Sequence, residues 1–125
     1  MRTQTEQQIF NTVAAHLLTQ GEKAQQGDEC LYRTPQGLAC ALGCLISEAD
    51  YSDTMEGLTP QDLGMVLPRI SDTDRALQFY EELQEIHDRV PVEYWRERLA
   101  EFSRDWELDD TVLVTNDSSE WEYAP

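Results

Sequence analysis

Three cysteines and two histidines are the side chains of this sequence with the widest chemical range. Cys40 and Cys44 are four residues apart, Cys30 precedes them, and His87 lies further along the chain. Together they could supply the four ligands of a tetrahedral zinc site. The sequence has no CxxC pair, however, and free cysteine is among the most buried residue types. Buried thiols are the favoured interpretation, and a zinc site formed by these four residues is the alternative.

The same side chains could instead act as nucleophile and base. That role needs a lowered thiol pKa and a histidine within hydrogen-bond reach. The sequence near Cys40 and Cys44 supplies no helix N-terminus, and Arg33 is the only cation nearby. Pairs of acids elsewhere have the spacing of solvated helix faces or loops. We therefore expect no enzymatic activity, no catalytic residue and no cofactor, and a Cys/His enzyme ranks third among the functions considered.

A second candidate site is the segment R-T-P-Q-G at residues 33–37. Proline followed two positions later by glycine favours a tight turn, and arginine offers a planar fork of donors to an anion. The candidate residues for binding a small, nucleotide-like anion are Tyr32, Arg33, Gly37 and Arg69. The competing interpretation is a structural ion pair, because carboxylates are plentiful in this chain.

The charge of the chain limits its partners. It has 25 acidic and 9 basic residues, a net charge of −16, which repels nucleic acid and anionic membranes and attracts a basic protein surface. Residues 105–122 hold seven acids and no base. Acids and exposed aromatic anchors make up the expected partner-binding residues: Asp109, Asp110, Asp117, Glu120, Trp121, Glu122 and Tyr123. Solubility alone is the competing explanation of this charge.

The elements that must position these residues are mainly helical. Apolar residues recur at helical spacing in residues 3–19, 76–90 and 92–106, which predicts three main helices. Gly21 stops the first helix, and Pro91 separates the second from the third. Thr59 and Pro60 predict the start of a minor helix at residues 60–67.

Short β-capable runs on both sides of the turn predict a hairpin at residues 30–40. Leu38, Leu42, Leu45 and Ile46 are expected in the core, and Gly43 could let another backbone come close or permit a bulge or turn. The run T-V-L-V-T at residues 111–115 is a candidate edge strand. The sequence thus predicts a mostly helical α+β fold, with three main helices packed on a small β-hairpin that a C-terminal strand could extend.

The length of the chain fits one domain. We assign residues 1–115 to that domain and residues 116–125 to an acidic aromatic tail. No apolar run is long enough to span a bilayer, and the N-terminus MRTQTEQQ is not a signal peptide. These features predict a cytoplasmic protein, and they leave self-association open.

The central stretch also carries a recognisable pattern. Tyr32-Arg33, Gly37, Cys40-Ala41, Gly43 and Leu45-Ile46 read Y-R-x3-G-x2-C-A-x-G-x-L-I, followed by Tyr51 and Glu56-Gly57. This pattern resembles a group of small proteins of bacteriophages and of bacteria that carry prophages, a group without an assigned activity. The sequence departs from it at Ala39 and Ser47, where the group has a basic residue and a proline.

The resemblance covers residues 30–57 and transfers no catalytic residue. It implies a phage or prophage setting, in which small acidic proteins often block host defence enzymes. We therefore expect a non-enzymatic accessory protein that acts by binding, as an acidic inhibitor or nucleic-acid mimic directed at a host protein with a basic surface. Binding or sequestering a small anionic ligand is the alternative.

Overall fold

The computed structural model describes residues 3–27, 29–63, 66–70 and 75–115. Its α-helices are α1 (Glu6–Gln20), α2 (Ala76–Arg89), α3 (Trp95–Asp105) and the short α4 (Thr111–Thr115). Its strands are β1 (Thr3–Gln4), β2 (Gln25–Gln26), β3 (Glu29–Cys30) and β4 (Arg69–Ile70). The fold is α+β, and the three main helices predicted from the apolar periodicity are confirmed.

Helix α1 begins where its sequence supplies a capping box. The Thr5 hydroxyl accepts from the Gln8 amide, and the Gln8 side chain accepts in return from the Thr5 amide. This reciprocal pair satisfies two of the backbone donors left open at a helix start. The helix ends at Gly21, as predicted. Its inner face is fully buried and consists of Ile9, Phe10, Val13, Ala14 and Leu17.

Helices α2 and α3 contribute an aromatic cluster that packs on α1. The Phe79 and Phe102 rings lie 5.3 Å apart between centroids, and Phe10 of α1 stacks on Phe102 at 5.8 Å. Trp106, just beyond α3, meets the edge of Phe79 at 5.0 Å. Aromatic pairs in such offset or edge-on arrangements stabilise a core beyond their buried area. Leu42, Leu45 and Ile46 are buried in this core, as the sequence predicted, whereas Leu38 is only partly buried against it.

The predicted hairpin at residues 30–40 is only partly correct. The tight turn forms, but a single antiparallel bridge, between Arg33 and Ala39, is all the strand pairing on its two sides in the described structure. Strand β2 pairs antiparallel with β3 instead. Strand β1 pairs in parallel with β4. Such two-residue strands depend on tertiary contacts, and these cannot be predicted from the β-propensity of the local sequence.

The predicted C-terminal edge strand is wrong, because residues 111–115 form helix α4. The Asp109 carboxylate accepts from the Thr111 amide at 2.7 Å and so caps the start of this turn of helix. Leu113 packs into the core, and its carbonyl accepts from the Arg96 guanidinium. Burial of one leucine therefore outweighs the β-propensity of its neighbours.

The minor helix predicted at residues 60–67 is also wrong in its described part, where residues 60–63 and 66 form turns. Thr59 and Asp62 do exchange capping hydrogen bonds. The segment is too short to continue, because helix nucleation needs several consecutive bonds and Pro68 follows closely. The proposed tail at residues 116–125 lies outside the described residues.

Across the described segments, every helix is too short or too polar to cross a membrane.

Candidate functional site

The turn at residues 34–39 is held on helix α1 by a side-chain amide. Gln20 donates to the Ala39 carbonyl and accepts from the Ala39 amide, both at 2.9 Å. His16 of the same helix also contacts that carbonyl, at 2.7 Å. Within the turn, the Thr34 amide donates to the Leu38 carbonyl at 2.9 Å, and the Leu38 amide donates to the Thr34 hydroxyl at 3.1 Å. The turn is thus fixed to a helix rather than free in solvent.

Gly43 brings the next segment against the backbone of Tyr32, as the sequence suggested. A Cβ at this glycine would lie 1.9 Å from the Tyr32 carbonyl oxygen. The same oxygen accepts from the Cys40 amide at 3.1 Å. Only glycine permits so close an approach of two backbones. Gly43 therefore has a packing role in this segment.

The Glu56 carboxylate links three parts of the central stretch. Its Oε1 accepts from the Tyr32 amide at 2.8 Å, and its Oε2 accepts from the Arg33 amide at 3.1 Å and the Tyr51 hydroxyl at 2.6 Å. Partial burial and the hydrogen bond to Glu56 raise the pKa of Tyr51 to about 12. Tyr51 therefore remains a protonated donor at neutral pH.

Arg33 turns its guanidinium toward the protein. One terminal nitrogen donates to the Ile46 carbonyl, and the guanidinium carbon lies 5.2 Å from the centre of the Tyr51 ring. The Arg33 Nε is buried and has no hydrogen-bond partner within the described segments. This arginine is mainly committed to internal contacts, and its capacity to hold an external anion is correspondingly small.

A cleft of about 660 Å³ opens between this turn and the segment at residues 48–56. Its volume lies in the usual range of ligand sites, about 300–1,000 Å³. Its charged lining is one arginine, Arg33, against three acids, Glu48, Asp53 and Glu56. Glu48 and Asp53 are exposed and form no ion pair within the described segments. The cleft consequently carries a net negative charge.

The four residues predicted to bind an anion are not all brought together. Arg33 and Gly37 line the cleft. Tyr32 is buried beside it, with its hydroxyl donating to the Leu58 carbonyl. Arg69 lies on β4, which pairs with the N-terminal strand, and does not line the cleft. This prediction of a joint site of Tyr32, Arg33, Gly37 and Arg69 is therefore wrong for two of its members.

Sequence reasoning missed the acids and the tyrosine of the cleft. The segment that contains Glu48, Tyr51, Asp53 and Glu56 has no periodic apolar pattern. These residues come close to Arg33 only in the folded chain. The available signal was the presence of Tyr51 and Glu56 in the resemblance pattern. Their joint appearance with Arg33 could have indicated a shared contact.

Cys40 belongs to the buried core, and Cys44 is partly buried against that core. Cys40 is fully buried and its sulfur accepts from the Gly43 amide, while the Cys44 thiol donates to the Ala41 carbonyl. Burial raises the pKa of both thiols to about 12. Both are therefore protonated and unreactive near neutral pH. Neither belongs to the group of potential metal ligands that contains Cys30 and His87, so the predicted four-residue zinc set is not assembled.

Cys30 and His87 do meet, together with Asp88, with their ligand atoms within 4.8 Å of one another. The Ala24 amide donates to His87 Nε2 at 2.9 Å, which requires that nitrogen to carry the lone pair. The proton is then on Nδ1, which donates to the Asp88 carboxylate at 2.7 Å. A metal at Nδ1 would force a proton onto Nε2, against the Ala24 N–H.

The same geometry disfavours nucleophilic catalysis at this cluster. Burial and the neighbouring Asp88 raise the pKa of the Cys30 thiol, which opposes formation of a thiolate. The only lone pair of His87 is already occupied by a backbone donor. The cluster is best described as a hydrogen-bond network that holds residues 24–30 on helix α2. Lys23, which donates to the Asp88 carbonyl at 3.1 Å, adds to it.

The predicted partner-binding residues divide between described and undescribed parts of the chain. Asp109 and Asp110 are both exposed. The hydrogen bonds from Thr111 lower the pKa of Asp109, in keeping with its capping of α4. The remaining five residues lie outside the described residues: Asp117, Glu120, Trp121, Glu122 and Tyr123.

Comparison with known proteins returned no match to the chain among protein-family models, curated proteins or solved structures.

Proposed function

We propose that this protein acts without catalysis, by binding a partner protein with a basic surface. In the phage setting that the resemblance implies, the partner is a host defence protein or another nucleic-acid-directed protein. One observation carries the proposal. Between Arg33 and Arg69 the chain has five acids and no lysine or arginine, and none of these acids forms an ion pair in the described structure.

This acidic segment is defined by Glu48, Asp50, Asp53, Glu56 and Asp62. Four of the five are exposed, and Glu56 is half-buried at the cleft. A surface of unpaired carboxylates produces a negative field that speeds encounter with a basic protein. It presents charges of the same sign as the phosphates that such a partner binds. Competition with nucleic acid is therefore the expected mode of inhibition.

The described chemistry gives less support to an enzyme. Catalysis by a thiol needs a stabilised thiolate and an available base. The pKa of each of the three thiols is raised, and His87 accepts a backbone hydrogen bond on its only lone pair. The acids on α2 and α3 are spaced along exposed helix faces. These features favour a binding function.

The cleft also gives less support to an anionic ligand than Arg33 alone suggested. Three carboxylates line it against one guanidinium. That guanidinium already donates to the Ile46 carbonyl and lies over Tyr51. A nucleotide-like anion would meet net repulsion there. Anion sequestration thus stays an alternative that the charge of the cleft disfavours.

The test uses the immobilised protein and a lysate of candidate host cells at two salt concentrations. Partners retained at about 50 mM salt and released at about 500 mM are identified, purified and mixed with the protein in solution, because screening weakens contacts between exposed charges. We expect a nucleic-acid-binding protein that releases a labelled duplex as this protein is added. A partner that keeps its duplex at saturation, or a complex insensitive to salt, would contradict the proposal.

A charge-matched pair of variants shows whether the acidic segment is responsible. Glu48→Gln/Asp50→Asn/Asp53→Asn removes three of its charges. Its control removes three exposed charges at the start of and along α3: Glu93→Gln/Glu97→Gln/Glu101→Gln. We expect the first variant to weaken partner binding at least about tenfold and the second to change it little. Equal losses of affinity in the two variants would mean that net charge alone is responsible for binding.

A further inference from the structure

We propose that the cleft beside Arg33 receives one basic side chain, a lysine or an arginine, of the partner protein. This inference rests on the proposed function and specifies the contact through which it would operate. It starts from the cavity, which is the opening of about 660 Å³ between the turn at residues 34–39 and the segment at residues 48–56.

The lining of the cleft is divided into an apolar and a charged part. Leu31, Pro35, Leu38 and Ala39 provide the apolar part. Glu48, Asp53 and Glu56 provide the charged part. Lysine and arginine have the same division, an aliphatic stem that packs on apolar surface and a charged head that stays with polar groups. A basic side chain therefore matches the cleft along its length as well as in charge.

The carboxylate of Glu56, which lines the cleft, is held in place by the surrounding protein. Its two oxygens accept three hydrogen bonds, from the Tyr32 and Arg33 amides and the Tyr51 hydroxyl. A carboxylate has about four acceptor positions, so about one remains for an incoming donor. Because three protein groups fix the carboxylate, little side-chain freedom is lost when a cation binds.

Arg33 offsets only one of the three negative charges that line the cleft. Its guanidinium donates to the Ile46 carbonyl, on the protein side, and lies over the ring of Tyr51 at 5.2 Å. Glu48 and Asp53 form no ion pair in the described parts of the chain. Two exposed carboxylates of the lining are thus available to an added positive charge.

The cleft is also preformed. Gln20 and His16 fix Ala39 from helix α1, and Gly43 fixes the neighbouring backbone against Tyr32. A binding site whose walls are already ordered avoids part of the entropy cost of association. The exposed acids of α3, by contrast, lie on a helix face.

The experiment is an NMR titration of the full-length, 15N-labelled protein with N-acetyl-argininamide. N-acetyl-citrullinamide, which has the same shape without the charge, is the matched probe. N-acetyl-lysinamide tests the second cation, and inorganic phosphate tests the anion alternative. We expect saturable shifts of the amides at residues 33–39 and 48–56 with both cations. Citrullinamide and phosphate should leave these amides unchanged.

A pair of variants with equal charge localises the binding. Glu48→Gln/Asp53→Asn should weaken argininamide binding at least about fivefold, and Glu97→Gln/Glu101→Gln on α3 should leave it nearly unchanged. Equal weakening by both pairs, equal shifts with citrullinamide, or larger shifts with phosphate would overturn the inference.

The two proposals fail separately. If argininamide binds in the cleft but no basic partner is displaced from nucleic acid, the proposed function fails and the cleft assignment stands. If a basic partner binds through the acidic segment but argininamide does not enter the cleft, the function stands and this inference fails.

Discussion

The Cα of Gly43 faces the backbone of Tyr32 so closely that a Cβ added to the glycine would lie 1.9 Å from the Tyr32 carbonyl oxygen. The oxygen cannot retreat freely, because it accepts from the Cys40 amide at 3.1 Å. Gly43→Ala should therefore lower the free energy of unfolding by about 3 kcal/mol or more. Urea unfolding measures this change.

Gly37→Ala is the matched control for that variant. Gly37 has φ +92° but open space where its Cβ would lie. Only backbone strain is expected there, at about 1–2 kcal/mol. A Gly43→Ala variant no less stable than Gly37→Ala would mean that the Tyr32 backbone can yield, and that the close approach is not a constraint.

Removing the charge of Glu56 should loosen the central stretch. In Glu56→Gln the amide nitrogen must face at least one of the present donors, the backbone amides or the Tyr51 hydroxyl, so at least one favourable contact becomes a donor–donor contact. We expect a loss of about 2–3 kcal/mol in the free energy of unfolding.

Tyr51→Phe, which removes one of the three hydrogen bonds to Glu56, should lower the free energy of unfolding by about 1 kcal/mol. The double variant should cost less than the sum, and strict additivity would contradict the shared contact.

The buried thiols predict a loss of stability in alkali. A Cys40 thiol with its pKa raised from 9.0 to about 12 is protonated in the folded chain at pH values where the unfolded chain has ionised. The unfolded state then binds fewer protons, so stability is complete below about pH 9 and falls as pH rises toward 12, by up to about 1.4 kcal/mol per pH unit. Cys40→Ala should remove this part of the slope between about pH 9 and about pH 10.5. If the slope of the unfolding free energy against pH is the same in Cys40→Ala, the Cys40 thiol must be in contact with water in the folded protein.

His87 should matter for stability through its lone pair. His87→Phe keeps a ring beside Trp95 but leaves the buried Ala24 amide without its acceptor. The expected loss is about 3 kcal/mol. His16→Phe is the control, because Ala39 keeps its hydrogen bonds to Gln20, and about 1 kcal/mol is expected. A rise in melting temperature on adding zinc to the native protein would contradict the assigned hydrogen bonds.

Leu45→Asp tests whether the central stretch belongs to the core. Leu45 is buried among apolar side chains, and an aspartate there would be an unpaired buried charge. The variant should be unfolded at ambient temperature by circular dichroism. Leu58→Asp, at a residue that is 39% exposed, should remain folded. A folded Leu45→Asp protein would exclude this stretch from the core.

The long helices could be predicted because their information is local. The stripe that includes Phe79, Leu83 and Ile86 repeats at helical spacing, and all three are buried on α2. For Gly43 the sequence left a close backbone approach, a bulge or a turn open, and the close approach to Tyr32 is present. In these cases a short segment of the sequence contains the physical cause of the local structure.

The remaining features have causes that are distant in sequence. Glu56 binds backbone amides more than twenty residues earlier, and Arg96 satisfies the Leu113 carbonyl in α4. Neither contact produces a periodic pattern in the amino-acid sequence. The acids of the cleft were likewise present in the sequence, but their position opposite Arg33 is set by the turns between them. A candidate site built from loops is therefore the part of the structure that local secondary-structure propensity predicts least well.

The contact between Gln20 and Ala39 has a consequence for self-assembly. Residues 33 and 39 form an isolated antiparallel bridge, and the amide and carbonyl of Ala39 are both taken by the Gln20 side chain. The glutamine thus occupies the place that a neighbouring strand would take. Unpaired strand edges are where chains of β-proteins join into aggregates. Helix α1 closes this edge with the side chains of Gln20 and His16, so the turn can border an open cleft without recruiting a strand from another molecule.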